Sequence, residues 1–368
     1  MLDSAPIVAN PVITAIVDTY NHEQFIEQAL SSVLDQGLSS SELEILVVDD
    51  GSTDRTADIA AKFEPKVHVL RKPNGGQASA FNVGIARARG EILAFLDGDD
   101  WWAKGKLRAI LDALESNPDV GVVGHGLCQV DELTGRSLVI QPSSNRRVTL
   151  NSVEDGINFR NIMCFLGTSR VAMRRAVLKL VGTIPPPLVV EADEFMSTMA
   201  VARSEAMLIP QPLTFYRLHP GNLYQFRDYD SMKVKRKMDV LMALSTALRQ
   251  ELPRARLLDD VVRAVVEPID VEARRLKLQY AGGMSWGTFQ VERASMRLDY
   301  DRMGWKYRLF KAFVLAFTLV LPPKMFYKLR AYYSRMNLRR LRKFTGEPSP
   351  SEAILSYEQH DHAKHVQS

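Results

Sequence analysis

The strongest constraint on this chain is where its acids fall. In the first hundred residues, short apolar runs are each followed directly by a polar or acidic cluster. Val12 to Val17 (VITAIV) leads into Asp18-Thr19-Tyr20-Asn21, Glu44 to Val48 (EILVV) into Asp49-Asp50, and Ile92 to Leu96 (ILAFL) into Asp97-Gly98-Asp99-Asp100. Such runs, bounded by turn formers, read as buried strands. Helical spacing lies between them: Glu23 to Leu34 gathers Phe25, Ile26, Ala29, Leu30 and Val33 on one face, Thr53 to Phe63 follows a capping Ser52 or Thr53, and Gln77 to Ala88 opens after paired glycines. With a further strand at Val67 to Leu70, the alternation predicts an α/β fold, a Rossmann-like, mostly parallel mixed sheet flanked by helices. In open sheets of this kind ligands gather outside the carboxyl ends of the strands, so the three clusters are expected to line one crevice.

Downstream, a helix over Lys106 to Ser116, a strand at Val120 to Val123 and an irregular polar loop over Gln141 to Asn161 are expected, with Ile162 to Arg174 and Ala206 to Tyr216 returning to the sheet. From Tyr229 the pattern turns helical. The expected organisation is a catalytic domain over 1–225, a C-terminal helical extension over 226–346 and a disordered tail over 347–368. Within the first of these, the donor half covers about 10–125 and the acceptor half about 126–225.

Three carboxylates within Asp97 to Asp100 repel one another, so the loop calls for a cation or hydrogen-bond donors. Hard divalent ions such as Mn2+ or Mg2+ take oxygen ligands and leave positions open for substrate phosphates. A solvated Asp/Gly turn is the plainer account, but Trp101-Trp102 follows at once and would be costly on an ordinary exposed turn. In VVDDGSTD, Val47 to Asp54, a strand-end carboxylate could accept a base N–H, or the string could simply cap the next helix. NGGQASAFNVGI, Asn74 to Ile85, offers helix N-terminal N–H groups to an anion, yet it matches neither GxGxxG nor a Walker lysine loop.

TYN at Thr19 to Asn21, VVDDGSTD, NGGQASAFNVG and LAFLDGDDWW, in that order and spacing, resemble glycosyltransferase family 2 over roughly Pro11 to Asn222. The resemblance implies a GT-A fold. It also implies inverting transfer of a hexosyl or N-acetylhexosaminyl group from a nucleotide-diphosphate sugar, UDP-sugar favoured, to an acceptor hydroxyl in polysaccharide or glycolipid assembly. The acceptor would be a glycan or a lipid-linked one. Carried over by motif, Tyr20 and Asp50 match positions that pack on and hydrogen-bond the base, Asp97 the acid near the ribose, and Thr19, Asn21 and Gly98 lie in the nucleotide-sugar site. Gly76 and Asn82 belong to the same nucleotide-sugar site, and Asp99 binds the metal. LTFYRLHPGN resembles the family's Tyr-Arg-x-His ending, which gives Arg217 to phosphate and His219 to the metal or diphosphate. An inverting displacement needs a base for the acceptor hydroxyl; in VVEADEFMSTMA this is Asp193, with Glu194 and then Glu191 behind it. Asp18 and Phe81 depart from the family's common Pro or Thr and Arg, leaving the nucleotide open. A non-catalytic nucleotide-binding scaffold on the same fold is the alternative. A nucleotidyltransferase would need a Gly-rich basic loop where DTYNHEQF stands.

Two cysteines, Cys128 and Cys164, give no disulfide framework, and MLDSAPIVANP lacks a signal peptide's basic and apolar regions, so a cytoplasmic setting is expected. A net charge of +4 gives no reason to expect nucleic acid as a partner. Lys324 to Lys343 is nonetheless basic throughout, and it follows the aromatic, apolar stretch Trp305 to Leu321, too short to span a bilayer. Together they have the makeup of a peripheral anchor for the anionic inner face of a membrane, or of a core helix followed by a solvated one.

Overall fold

The computed structural model describes residues 10–222, 231–300 and 303–335. The expected tail over 347–368 and the end of the basic stretch lie outside them. The described residues form two compact units: one from those up to Leu150 with Ile162–Pro220 and Arg254–Leu257, the other from Asn151–Asn161 and the described residues of 221–253 and from Leu258 onward.

The first unit begins β1 (Ile13–Thr19), α1 (Ile26–Leu34), β2 (Leu43–Asp49), α2 (Thr56–Ala61), β3 (His68–Arg71), α3 (Gln77–Arg87) and β4 (Ile92–Asp97). After β5 (Trp101–Trp102) and α4 (Lys106–Ser116) come β6 (Val120–Asp131), β7 (Arg136–Ile140) and β8 (Arg146–Val148). Past α5 (Val153–Ile162), which falls mostly in the second unit, the first unit closes with β9 (Val171–Arg174), α6 (Arg175–Val181), α7 (Ala192–Arg203) and β10 (Glu205–Leu218). The strands form one mixed sheet in the order β3-β2-β1-β4-β9-β6-β10-β5, with β7 on β6 and β8 on β10. β1, β2, β3 and β4 pair in parallel, as do β6 and β10, while β9 runs antiparallel between β4 and β6.

The parallel centre explains its own composition. Ile13, Ala15, Ile16 and Val17 of β1 are fully buried because helices cover both faces. Each Ile or Val side chain buried in this way contributes roughly 1.5–3 kcal/mol of transfer free energy. α1 starts three residues later than its periodicity suggests, because Phe25 and Ile26 both donate to the His22 carbonyl in a turn. α2 starts at Thr56, and Asp54 rather than Ser52 accepts its first N–H; the Ser52 hydroxyl instead accepts from Asn21 N–H.

The stretch expected to be a polar loop, Gln141 to Asn161, holds β8 and most of α5, with Val148, Leu150 and Phe159 buried. Apolar residues there are too sparse to show a period, and their partners are distant in sequence. β6 also runs on to Asp131 and folds back into β7 through a turn in which Asp131 Oδ1 accepts the Leu133 and Thr134 N–H groups and Gly135 takes φ +65°.

The second unit is helical, as expected: α8 (Ser231–Glu251), α9 (Asp259–Ala281), α10 (Ser285–Asp299), α11 (Trp305–Val320) and α12 (Pro323–Arg335). Glu292 of α10 ties the bundle together by pairing with Arg275 of α9 and Arg330 of α12.

Candidate active site

Strand register brings the sequence's acid clusters to one edge. In the β1–β4 ladder Asp18 faces Asp97, and in the β1–β2 ladder Thr19 faces Asp49. The Asp50 N–H donates to the Thr19 carbonyl and the Gly98 N–H to the Asp18 carbonyl, so both acidic loops leave the sheet beside the end of β1. Gly98 passes so close that a Cβ there would lie 2.6 Å from Thr19 Oγ1 and 2.8 Å from His22 Nδ1. Any side chain at this position would push the loop off its neighbour.

At the edge, Asp99 Oδ2 lies 3.2 Å from His219 Nε2 and 3.9 Å from His22 Nε2. Asp97 is held by its N–H to Ser169 Oγ and by Gln77 Nε2 at 3.5 Å. Burial and the neighbouring charge of Asp99 push Asp18 well above the usual carboxylate range, and burial together with Asp18 does the same to Asp97; the charge of Asp193 adds to both. Burial and Asp99 raise Asp100 to about 7. Burial also pushes Asp99 up, but the hydrogen bond with His219 and the charges of His22 and His219 outweigh it and leave Asp99 below its ordinary value. Burial lowers His22 from its ordinary value. Asp18 Oδ1 and Asp100 Oδ2 are buried without a hydrogen-bond partner among the described residues.

Crowded, desolvated carboxylates with an orphaned oxygen are the environment a divalent cation relieves, and this oxygen-rich donor set fits Mn2+ or Mg2+. No group of three His, Cys, Asp or Glu among the described residues forms a ready-made cage.

Asp193, in the first turn of α7, accepts the Thr168 N–H at 3.1 Å, and its charge acts on Asp18 and Asp97, so it faces the same cluster. Glu194 follows it in that turn, and Glu191 is the left-handed N-cap at φ +59°. Thr19 Oγ1 contacts His22 Nδ1 at 3.2 Å. Tyr20 stands at the rim, 44% exposed. Asn21, at φ +55°, ties the rim to the next loop by accepting the Thr53 N–H.

Four residues expected at the nucleotide-sugar site make their closest contacts within the chain itself. The Asp50 carboxylate pairs with Lys72 and accepts the N–H groups of Gly75 and Gly76, so the anion at the start of α3 is the chain's own. Gly76 is there for space: at φ +80° a Cβ would lie 2.6 Å from Val189 Cα. Asn82 exchanges two hydrogen bonds of 2.9 Å with the backbone of Ile184. Arg217 lies under the acidic loop, where Nε donates to the Asp99 carbonyl at 2.7 Å and the other nitrogens reach Gln28 and Glu132. Its guanidinium is sandwiched against Phe25 and Trp101, which accounts for half of the tryptophan pair; Trp102 is in the core.

Asp18, His22, Gln77 and Ser169 belong to the site without having been singled out as ligands. A strand-end position directly before and after the TYN string was the available signal for Asp18 and His22. Nothing local marks Ser169, which arrives on a 3₁₀ turn at Thr168–Arg170.

Sheet, flanking helices and acidic strand-end cleft define a GT-A fold. Its likeness to the crystal structure of S. aureus TarS 1-349 in complex with UDP-GlcNAc has a TM-score of 0.50 at 21% identity, covering 79% of this chain and 91% of that one. Residues 14–181 match the model of glycosyl transferase family 2. An uncharacterized glycosyltransferase of Nostoc sp. is 33% identical over 217 residues, 57% of this chain and 66% of its own length. EpsJ of Bacillus subtilis, also an uncharacterized glycosyltransferase, is 28% identical over 219 residues, 58% of this chain and 63% of its own. The chain thus spans just under two thirds of each of these relatives.

Proposed function

We propose that the chain is an inverting glycosyltransferase that moves a hexosyl or N-acetylhexosaminyl group from a nucleotide-diphosphate sugar, UDP-sugar favoured, to the hydroxyl of a glycan or lipid-linked acceptor. The observation that carries this reading is the convergence of Asp18, Asp97, Asp99 and Asp193 with His22 and His219 at one sheet edge. Asp99, with His219 beside it, would hold Mn2+ or Mg2+. The ion supplies positive charge that offsets the diphosphate leaving group. Asp97 and Gly98 take the ribose side, with Ser169 and Gln77 fixing the Asp97 carboxylate. Thr19, Tyr20 and Asn21 form the rim for the base, and Asp50 shapes that rim by holding the Asn74–Gly76 turn.

Asp193 takes the acceptor hydroxyl's proton while the oxygen attacks the anomeric carbon opposite the departing diphosphate. The Thr168 N–H keeps the Asp193 carboxylate oriented. Asp99→Asn should abolish metal-dependent turnover and leave the melting curve intact, whereas Asp193→Asn should bind donor normally yet fail to transfer. A fully active Asp193→Asn enzyme would move the base to Glu194. NMR of the product should show the anomer opposite to the donor's; retention would refute inversion. Absence of metal-dependent donor hydrolysis and transfer across a panel of nucleotide-sugars that do bind would favour a non-catalytic scaffold.

A further inference from the structure

α11 presents its apolar side outward. Trp305, Leu309, Phe313, Phe317 and Val320 are 69, 63, 64, 46 and 78% exposed, whereas its buried residues are Tyr307 and Thr318. At about 100° per residue those five fall within about 120° of arc, with Ala316 between Trp305 and Leu309 and Ala312 at its border. A helix on a soluble surface ordinarily turns such a stripe inward, and a contiguous exposed one marks an interaction site. α12 exposes apolar residues too: Met325 and Leu329, one turn apart, are 51 and 48% exposed beside the exposed Lys324 and Lys328.

The charge around the stripe has one sign. No Asp or Glu occurs from residue 302 to 346, and Lys306, Lys324 and Lys328 are exposed. Apart from the Trp305 indole N–H and the ammonium of Lys306 in the first turn, the stripe carries no polar side chain. A protein-binding face carries polar groups that fix register, whereas a lipid surface needs only apolar area ringed by cations. Trp and Lys together suit the headgroup level, where Lys buries its stem and keeps its ammonium wet. α11, about 24 Å long at 1.5 Å per residue, falls short of the ~30 Å hydrocarbon layer. Among the described residues no helix is long and apolar enough to cross a membrane.

We propose that α11 lies flat on an anionic bilayer, with Trp305, Leu309, Phe313, Phe317 and Val320 below the headgroups and the lysines of α11 and α12 on the lipid phosphates. This goes beyond the glycosyl-transfer reading and stands without it, since neither helix carries a residue of the cleft.

The test is flotation of the full-length chain with vesicles of phosphatidylcholine alone or mixed with phosphatidylglycerol. The wild type should float with the mixed vesicles and much less with the neutral ones. Phe313→Asp combined with Phe317→Asp should cut binding by tenfold or more while the melting curve stays put, because both side chains are exposed. Each of Lys306→Gln, Lys324→Gln and Lys328→Gln should weaken binding by about fivefold. Equal binding of wild type and double variant, no preference for phosphatidylglycerol, or no flotation at all would overturn the proposal. So would a wild-type dimer in light scattering that the double variant abolishes while neither floats; a second copy would then be what covers the stripe.

Discussion

Replacing Arg217 by lysine separates two jobs that an arginine near a diphosphate site can have. In the structure its guanidinium makes a 2.7 Å bond to the Asp99 carbonyl and a 2.6 Å bond to Gln28, pairs with Glu132, and lies 4.5 and 4.7 Å from the Trp101 and Phe25 ring centres. The side chain is 7% exposed. Lysine keeps the charge but cannot bond in two directions and stack at once. A hydrogen bond to a charged donor contributes about 1.5–3 kcal/mol, and a desolvated cation–π contact about 2. Glu132 is one-third exposed, so its ion pair adds little once solvent screening is counted. Loss of one bond and part of the stacking puts the cost of Arg217→Lys near ~3 kcal/mol, and Arg217→Met should cost about 4 because a buried acceptor is then left without a partner. The assay is urea unfolding of the ligand-free protein, followed by the signal of the tryptophan pair. If Arg217 served only to bind donor phosphate, ligand-free stability would stay within about 0.5 kcal/mol of wild type. That result would refute the assignment of Arg217 as the brace beneath the acidic loop.

Asn82→Ala should lower stability by about 2–3 kcal/mol, because both hydrogen-bonding groups of the buried Ile184 backbone lose their partner, and the KM for donor should not change. His125 is fully buried, with Nδ1 2.7 Å from the Gly126 carbonyl, and burial holds its pKa well below the ordinary 6.5. The unfolded chain therefore takes up a proton below pH 6.5 that the native state refuses, so His125's contribution is present above that pH and lost as pH falls. Relative to His125→Asn, the wild type should lose about 1 kcal/mol per pH unit in chemical denaturation between pH 6.5 and 5, and a constant difference would refute the reading.

The fold of the first unit was legible where apolar runs are continuous. β1, β2 and β4 are buried on both faces and announce themselves without any partner, and α4 matches its sequence boundaries, Lys106–Ser116. The β6–β7 hairpin and β8 were not legible, because they are partly exposed strands whose identity comes from the neighbour they pair with. Asp97, Asp99, Asp193 and His219 were found by motif and do meet. What a motif could not reveal is whether a polar residue faces the cleft or its own backbone. Asp50 and Asn82 satisfy distant main-chain groups, and only coordinates expose that bond. His22 was missed for the converse reason, since it contacts Asp99 across 77 residues without a spacing that would flag it.

The ladder that aligns Asp18 with Asp97 has a consequence for how such a protein can vary. Hydrogen-bonded strands count residues, because a shift by one turns every side chain to the opposite face. Lengthening the connection between α2 and β3, or between α4 and β6, therefore leaves the pair of acids where they are. Deleting a single residue inside β1 or β4 would part them and place one in the apolar interior. Length variation among descendants of this chain should accumulate in the connectors and stop abruptly at Ile13 and Ile92.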